Sequence, residues 1–227
     1  TGEGSKAELI NSGEANRIYG NANEGGATSI TNDGKVTGDG SAITMTDPNS
    51  GESWEETSGI LNGWAGGEGS SVTVVNNGTV GYVVGVNADG KGSSTTVSNN
   101  GTAGSMDATG SNGGEVKATN SGVVENGVGI NATGEGSKAE LINSGEANRI
   151  FGNANEGGTT SVTNDGKVTG DGSAITITDP ESGESWNETS GLLNGRADGE
   201  GSSMTVVNNG TVGYAVGVDA DGKGSSV

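Results

Sequence analysis

The chain has 227 residues, of which 47 are glycine, only 28% are hydrophobic and 3% are aromatic. This composition leaves too little large apolar material for the thick core of an ordinary globular domain. The formal net charge of −19 argues against nucleic acid and anionic membrane surfaces as partners, because both are bound through Lys and Arg.

A short unit of strand and turn recurs from the beginning of the chain to its end. Each unit contains an Asn-x-Gly turn, and the first one places Asn11 two residues before Gly13. Successive turn glycines are 21, 23 or 44 residues apart, and 44 is twice 22. The marker glycines are Gly13, Gly34, Gly78, Gly101, Gly122, Gly145, Gly166 and Gly210.

The residues before each marker glycine alternate between apolar and polar side chains. In the third marked unit Val72 and Val74 are apolar, and Thr73 between them is polar. This period of two predicts strands with one buried face, and copies of such a unit must stack to bury it. We therefore predict an all-β fold, a parallel β-helix with about 22 residues per turn and about ten turns. Disorder is the alternative suggested by the charge, but the fixed offsets and only two prolines argue against it.

An asparagine occupies the second position before every marker glycine. This asparagine lies an even number of residues from the apolar positions of the same strand, so its side chain should point to the same buried face. That favours an internal ladder of side-chain amides bonded from turn to turn. The alternative is that asparagine only suits a left-handed turn before glycine. The eight candidates are Asn11, Asn32, Asn76, Asn99, Asn120, Asn143, Asn164 and Asn208.

A longer repeat of 132 residues is superimposed on the short one. Residues 1–132 form the first copy, which we interpret as six short units, and residues 133–227 form a second, incomplete copy of one continuous solenoid. Differences between the copies act as a substitution experiment. Val72/Met204 and Met45/Ile177 stay apolar, as core positions should, whereas Trp64 becomes Arg196 and is expected to be exposed.

One irregular region, residues 47–69, returns at residues 179–201. It is either two turns of the solenoid without the Asn-x-Gly turn expected between them, or one turn with a protruding loop. We favour a loop or short helical turn. Trp54, Trp64 and Trp186 lie in these regions as candidate loop contacts. Trp54 and Trp186 are interpreted as anchors that fold the loop onto the rod, with ligand binding as the alternative.

Catalytic chemistry is poorly represented. Histidine and cysteine are absent, so histidine-based catalysis, thiolate metal sites and disulfides are excluded. The pair Glu55-Glu56 is weak support for a hydrolase, since the second copy has asparagine at the first position. Asp89 and Asp221 lie in segments like the start of a calcium loop, without the spacing of an EF-hand. We expect no catalytic residue, metal site or cofactor, with calcium as a minor alternative.

Runs such as SVTVVNNGTVGYVVGVNADGKGS (residues 71–93) and SVTNDGKVTGDGSAITITD (residues 161–179) resemble repeats in the passenger regions of bacterial autotransporters and large surface adhesins. The resemblance implies a secreted, right-handed β-helix at the bacterial cell surface that mediates adhesion or aggregation. The chain lacks an initiating methionine and any apolar run of the roughly 18 residues that span a bilayer. We therefore expect an excerpt of a longer protein, without direct membrane insertion.

The expected function is that of a non-enzymatic stalk or adhesive surface. Expected partners are further copies of the repeat, other molecules of the same protein, or the surface of a host or neighbouring cell. The first alternative is a subunit of a self-assembling extracellular filament. An ice-binding solenoid is less favoured because Thr44 and Thr46 belong to no regular threonine array, and a carbohydrate-active enzyme would need an acidic cleft.

Overall fold

The computed structural model describes residues 2–47, 50–178 and 185–227, and within them the fold is an all-β, parallel β-solenoid. No helix in this described part is long and apolar enough to cross a membrane. The strands are β1 (Lys6–Asn11), β2 (Glu14–Ala15), β3 (Arg17–Asn23), β4 (Ala27–Asn32), β5 (Lys35–Val36), β6 (Ala42–Thr46), β7 (Ser53–Thr57), β8 (Ile60–Gly66), β9 (Ser71–Asn76), β10 (Thr79–Asp89), β11 (Ser94–Asn99), β12 (Thr102–Ser111), β13 (Glu115–Asn120), β14 (Val123–Thr133), β15 (Lys138–Asn143), β16 (Glu146–Ala147), β17 (Ile150–Asn155), β18 (Thr159–Asn164), β19 (Lys167–Val168), β20 (Ala174–Thr178), β21 (Ser185–Thr189), β22 (Leu192–Asp198), β23 (Ser203–Asn208), β24 (Thr211–Val212) and β25 (Ala215–Asp221).

The first wall of the solenoid is a parallel sheet of eight strands in the order β1-β4-β9-β11-β13-β15-β18-β23. Each strand has six residues and pairs without a slip, so that Asn76 lies opposite Asn99 and Asn99 opposite Asn120. Each of these strands begins one coil, and the coils are numbered 1 to 8 below. A bridge between Ser203 and Ser226 begins a ninth.

The second wall is a bent sheet of 13 strands. In coils 3, 4 and 5 it is one long strand with a bulge at the bend, as between Val80 and Val83. In the other coils a two-residue strand precedes the bend and a longer strand follows it. Glycines with positive φ then return the chain to the first wall, for example Gly90 (φ 99°) and Gly92 (φ 75°), where a residue with a Cβ would be strained.

The two double-length units are single coils that carry a β-hairpin. Strands β6 and β7 pair antiparallel, as do β20 and β21, and each hairpin is inserted at the bend of the second wall. The predicted loop therefore protrudes, but it is an antiparallel hairpin and starts before residue 47. Residues 48–49 and 179–184 of the predicted loops lie outside the described residues.

This insertion corrects two numbers predicted from the sequence. The first 132 residues form five coils and one hairpin, not six coils, and the whole chain has about nine turns, not ten. A hairpin of about 22 residues has the length of a coil by coincidence, so counting residues could not tell them apart. The parallel β-helix itself is confirmed.

The core is a narrow strip between the walls. Val72 and its counterpart Met204 are buried, as the comparison of the two copies predicted. Larger side chains of the first wall face glycines of the second, since a Cβ on Gly152 would overlap Met204 and one on Gly20 would overlap Ile30. The prediction that Met45 is a core residue is wrong, because Met45 lies on the first hairpin and is 43% exposed.

Candidate functional site

The eight predicted asparagines lie in one column at the end of the first wall. In each step the Nδ2 of one asparagine donates to the Oδ1 of the next, and all seven bonds measure 2.7–2.9 Å. The column runs without a break past both hairpins, which occur at the two steps of 44 residues. Strand pairing and side-chain bonding therefore enforce the same register.

The ladder is internal and has no polar group left over for a ligand. Its six inner members are fully buried, and the second proton of Nδ2 points to a backbone carbonyl, as from Asn76 to Thr102 (3.1 Å) and from Asn120 to Glu146 (3.1 Å). Only Asn11 and Asn208, at the two ends, have appreciable exposure. The asparagines therefore act in stability and register.

A second polar row lies directly outside the ladder. Asn77 donates to Asp33 (2.8 Å), Asn100 donates to Asn77 (2.9 Å) and Ser121 donates to Asn100 (2.8 Å). These contacts are exposed to water, where a hydrogen bond contributes less than in the core. The outer row offers a solvent-side comparison for the buried asparagines beside it.

Each hairpin is fastened to the preceding coil by an arginine. Arg17 forms an ion pair with Glu56, and Glu56 also accepts a hydrogen bond from the Nε1 of Trp54 (3.2 Å). The second copy keeps this arrangement with Arg149, Glu188 and Trp186, whose Nε1 donates to Glu188 (3.0 Å). In both copies tryptophan thus orients the carboxylate that anchors the hairpin.

The same tryptophans also leave an apolar surface open to solvent. Trp54 is 46% exposed and Trp186 is 45% exposed, although each indole N–H is engaged at the hairpin base. On the first hairpin Trp54 lies opposite Met45 in the antiparallel pair. Each tryptophan can therefore anchor its hairpin and also present an apolar surface to solvent.

Trp64 lies on β8 in the wall, outside the hairpin, which corrects its assignment as a loop contact. It is half-buried rather than fully exposed, because its ring lies beside Gly66, where a Cβ would come within 2.8 Å of the indole. In the second copy both positions change together. Arg196 and Asp198 replace the tryptophan and the glycine and form an ion pair of 3.2 Å.

The aspartates of the two calcium-like segments lie in different coils, with Asp89 at the end of β10 in coil 3 and Asp221 at the end of β25 in coil 8. Asp89 already accepts hydrogen bonds from Ser111 (2.9 Å) and Asn112 (2.7 Å) of the next coil. Within the ranges 2–47, 50–178 and 185–227, no group of three or more acidic side chains is placed to hold a metal ion. The Glu55 carboxylate is exposed on the first hairpin.

We expect folding to be independent of calcium, because the coils are held by strand pairing and the asparagine ladder. The melting temperature should change by less than about 1 °C between EDTA and millimolar calcium, with magnesium as the control for ionic strength. Differential scanning calorimetry measures this directly. A calcium-specific rise of more than about 4 °C would mean over ~1 kcal/mol of linked binding energy and would contradict the expectation.

A notch on the outer side of the second wall was not predicted from the sequence. Asp107 of coil 4, Gly129 of coil 5 and Phe151 of coil 6 lie in one column, and the cavity between them has a volume of about 200 Å³. Surrounding protein raises the pKa of Asp107 to about 6, opposed by the Arg149 guanidinium, although one side of the carboxylate remains open to solvent. The sequence feature that could have indicated the notch is the pair Gly127 and Gly129, which lie at outward-facing positions of β14.

No protein-family model matches this chain, and no curated protein or solved structure was found to be similar to it. The fold therefore rests on the strand pairing described above. The resemblance to adhesin passengers is carried by short runs of sequence.

Proposed function

We propose that the chain is a non-enzymatic segment of an extracellular rod at a bacterial cell surface, and that it serves as an adhesin stalk and adhesive surface. The observation that carries this proposal is the unbroken asparagine ladder across the junction of the two copies. There β13 of the first copy pairs with β15 of the second in the same register as every other step. Adding copies of the repeat would therefore lengthen the rod without a new kind of contact.

The hairpins supply surface features at regular intervals along such a rod. They project from coils 2 and 7, which are five coils apart, or roughly 24 Å at the usual strand spacing. Each presents an exposed tryptophan on a strand held by an arginine–glutamate ion pair. Repeated weak contacts of this kind gain strength through multiplicity rather than through one deep site.

Partners of this rod are cell-surface molecules and other copies of the repeat. The charge of −19 disfavours nucleic acid, and no direct insertion into a membrane is proposed. The strong negative charge also keeps parallel rods apart in solution, so contact along their sides requires specific features such as the hairpins.

The second candidate function is that of a self-assembling filament subunit, and the uniform contact between coils favours it. Neighbouring coils pair in the same parallel register and through the same asparagine hydrogen bond, as between β13 and β15. Coils of two molecules could stack through the same contacts. Mass that grows with concentration in sedimentation velocity, with end-to-end particles in electron microscopy, would favour the filament.

Adhesion or self-aggregation is expected to rise steeply with the number of 132-residue copies. Beads that carry arrays of one, two and four copies at equal surface density should differ in target binding by much more than the ratio of copies. Flow cytometry of bead–cell and bead–bead aggregates gives the measurement. Glu55→Gln serves as the control, because this exposed carboxylate is absent from the second copy and should not matter.

Two results would contradict the stalk-and-surface function. One copy that binds as tightly as four would point to a single discrete receptor site. Loss of all binding in the Glu55→Gln arrays would point to a site built around that carboxylate, as expected of an enzyme or a dedicated receptor-binding loop.

A further inference from the structure

The notch on the second wall lies across coils 4, 5 and 6, where the first 132-residue copy meets the second. Its outer rim is formed by polar side chains of these coils, and Phe151 forms its apolar side. The volume of about 200 Å³ is below the roughly 300–1,000 Å³ of sites for drug-sized ligands. The space therefore suits a ligand of about one six-membered ring.

Gly129 in β14 creates this space, and Gly127 of the same strand lies next to it, beneath the Arg149 side chain. A Cβ on Gly129 would come within 2.7 Å of the Asp107 carboxylate, and one on Gly127 would come within 2.6 Å of the Arg149 side chain. Coil 5 therefore contributes only backbone atoms at these two positions, and side chains of coils 4 and 6 extend over them. The equivalent column in coil 3 also has a glycine, Gly85, but there Asn62 lies alongside it.

Two hydrogen-bond acceptors that line the notch have no partner among the described residues. The Oδ1 of Asn153 is one of them, but it is fully buried, so a ligand cannot reach it in this conformation. The side chain of Asn131, in contrast, donates to Thr133 (3.1 Å) and accepts from Asn155 (3.2 Å). A second acceptor is the carboxylate of Asp107, for which no hydrogen bond is found among the described residues.

The charges of Asp107, of Arg149 and of the whole chain restrict the class of ligand further. A cation would be repelled by the positive charge of Arg149, which acts on Asp107 from outside the lining of the notch and pairs with Glu188 of the second hairpin. An anion would meet the Asp107 carboxylate within a chain of net charge −19. A neutral ligand that donates several hydrogen bonds and has one apolar face satisfies all of these conditions.

We propose that the notch binds one hexopyranose unit of a neutral glycan, with a C–H face of the sugar on Phe151 and hydroxyl groups donating to the Asp107 carboxylate. Its biological role rests on the adhesive function proposed above, for which it supplies a ligand class. One such subsite arises at each junction between complete copies of the repeat. Affinity of a single notch is weak, since the ligand buries one face only.

The test uses the full chain and a set of methyl glycosides of glucose, galactose, mannose and N-acetylglucosamine. Saturation-transfer-difference NMR should detect at least one of them, with a Kd in the millimolar range. Gly129→Leu fills the notch and should weaken binding at least tenfold. Gly217→Leu is the matched control, because it adds the same side chain to the same outer column three coils away, where Asn194 lies beside the glycine, and it should leave binding unchanged.

Asp107→Ala is the second variant, since it removes an acceptor without adding bulk and should also weaken binding at least tenfold. Circular dichroism and the melting temperature establish that each variant is folded. Absence of saturation transfer to all four glycosides would overturn the proposal, as would wild-type affinity in both Gly129→Leu and Asp107→Ala. Equal loss of binding in folded Gly217→Leu would also overturn it, because the binding would then not be local to the notch.

The subsite and the proposed adhesive function fail in different ways. If no glycoside binds but aggregation still rises with the number of copies, the subsite is wrong and the adhesive rod stands. If glycosides bind the single chain but arrays show no gain with copy number, the subsite stands and the multivalent surface is wrong.

Discussion

Replacement of Asn76 by leucine is expected to lower the free energy of unfolding by about 1–3 kcal/mol. Asn76 accepts from Asn32 and donates to Asn99 and to the carbonyl of Thr102, all in the interior. Leucine has a similar volume but no polar atoms, so it leaves a buried amide proton on one side and a buried oxygen on the other. Urea unfolding followed by circular dichroism measures the change.

Asn77→Leu is the matched control for this substitution. Asn77 is the next residue in the chain and also bonds to the coils on both sides, to Asp33 and to Asn100, but in contact with water. Water can replace these bonds, so the change should be below about 0.5 kcal/mol. Equal effects of the two substitutions would mean that the buried ladder contributes no more than an ordinary surface contact.

Gly101→Ala is expected to destabilise the chain by about 3 kcal/mol or more, for one added methyl group. A Cβ at this position would overlap the carbonyl oxygen of Gly78 and would lie 2.8 Å from the carbonyl carbon of Asn77. Both are backbone atoms of the preceding coil, held by the pairing of β9 with β11, so they cannot move aside. The effect is therefore a steric one and does not arise from backbone dihedral angles.

Gly13→Ala is the corresponding change in coil 1, and nothing lies within 4 Å of its added Cβ. This variant should be close to neutral. Thermal unfolding of both variants and the parent chain gives the comparison. A similar loss in both would indicate that the marker glycine is needed by the turn itself rather than by the contact between coils.

The part of the structure that could be predicted from the sequence is the part that repeats. Asn76, Asn99 and Asn120 stand at the same place in their units, and stacked copies of a unit must bring equal positions together. The alternation of Val72, Thr73 and Val74 then determines which side chains are buried, because the side-chain period of a strand is two.

The hairpins could not be identified in this way. A spacing of 44 residues fits two coils or one coil with an insertion, and both contain turn residues and alternating strands. The outcome depends on pairing between β6 and β7 and on the ion pair from Arg17 to Glu56, which joins residues of different units. Contacts of this kind do not follow the 22-residue period of the coils and recur only with the 132-residue repeat.

The sequence by itself determined the stacking register, the buried asparagine column and the marker glycines, because each follows from counting along identical units. Only the tertiary structure decided the notch of Asp107, Gly129 and Phe151. The bulge after Ala103 shifts the pairing, so Ala103 lies opposite Val124 but Ser105 lies opposite Gly127. Beyond that shift, equal distance from the marker glycine no longer means equal position in the rod, since a one-residue slip moves every following side chain to a different neighbour.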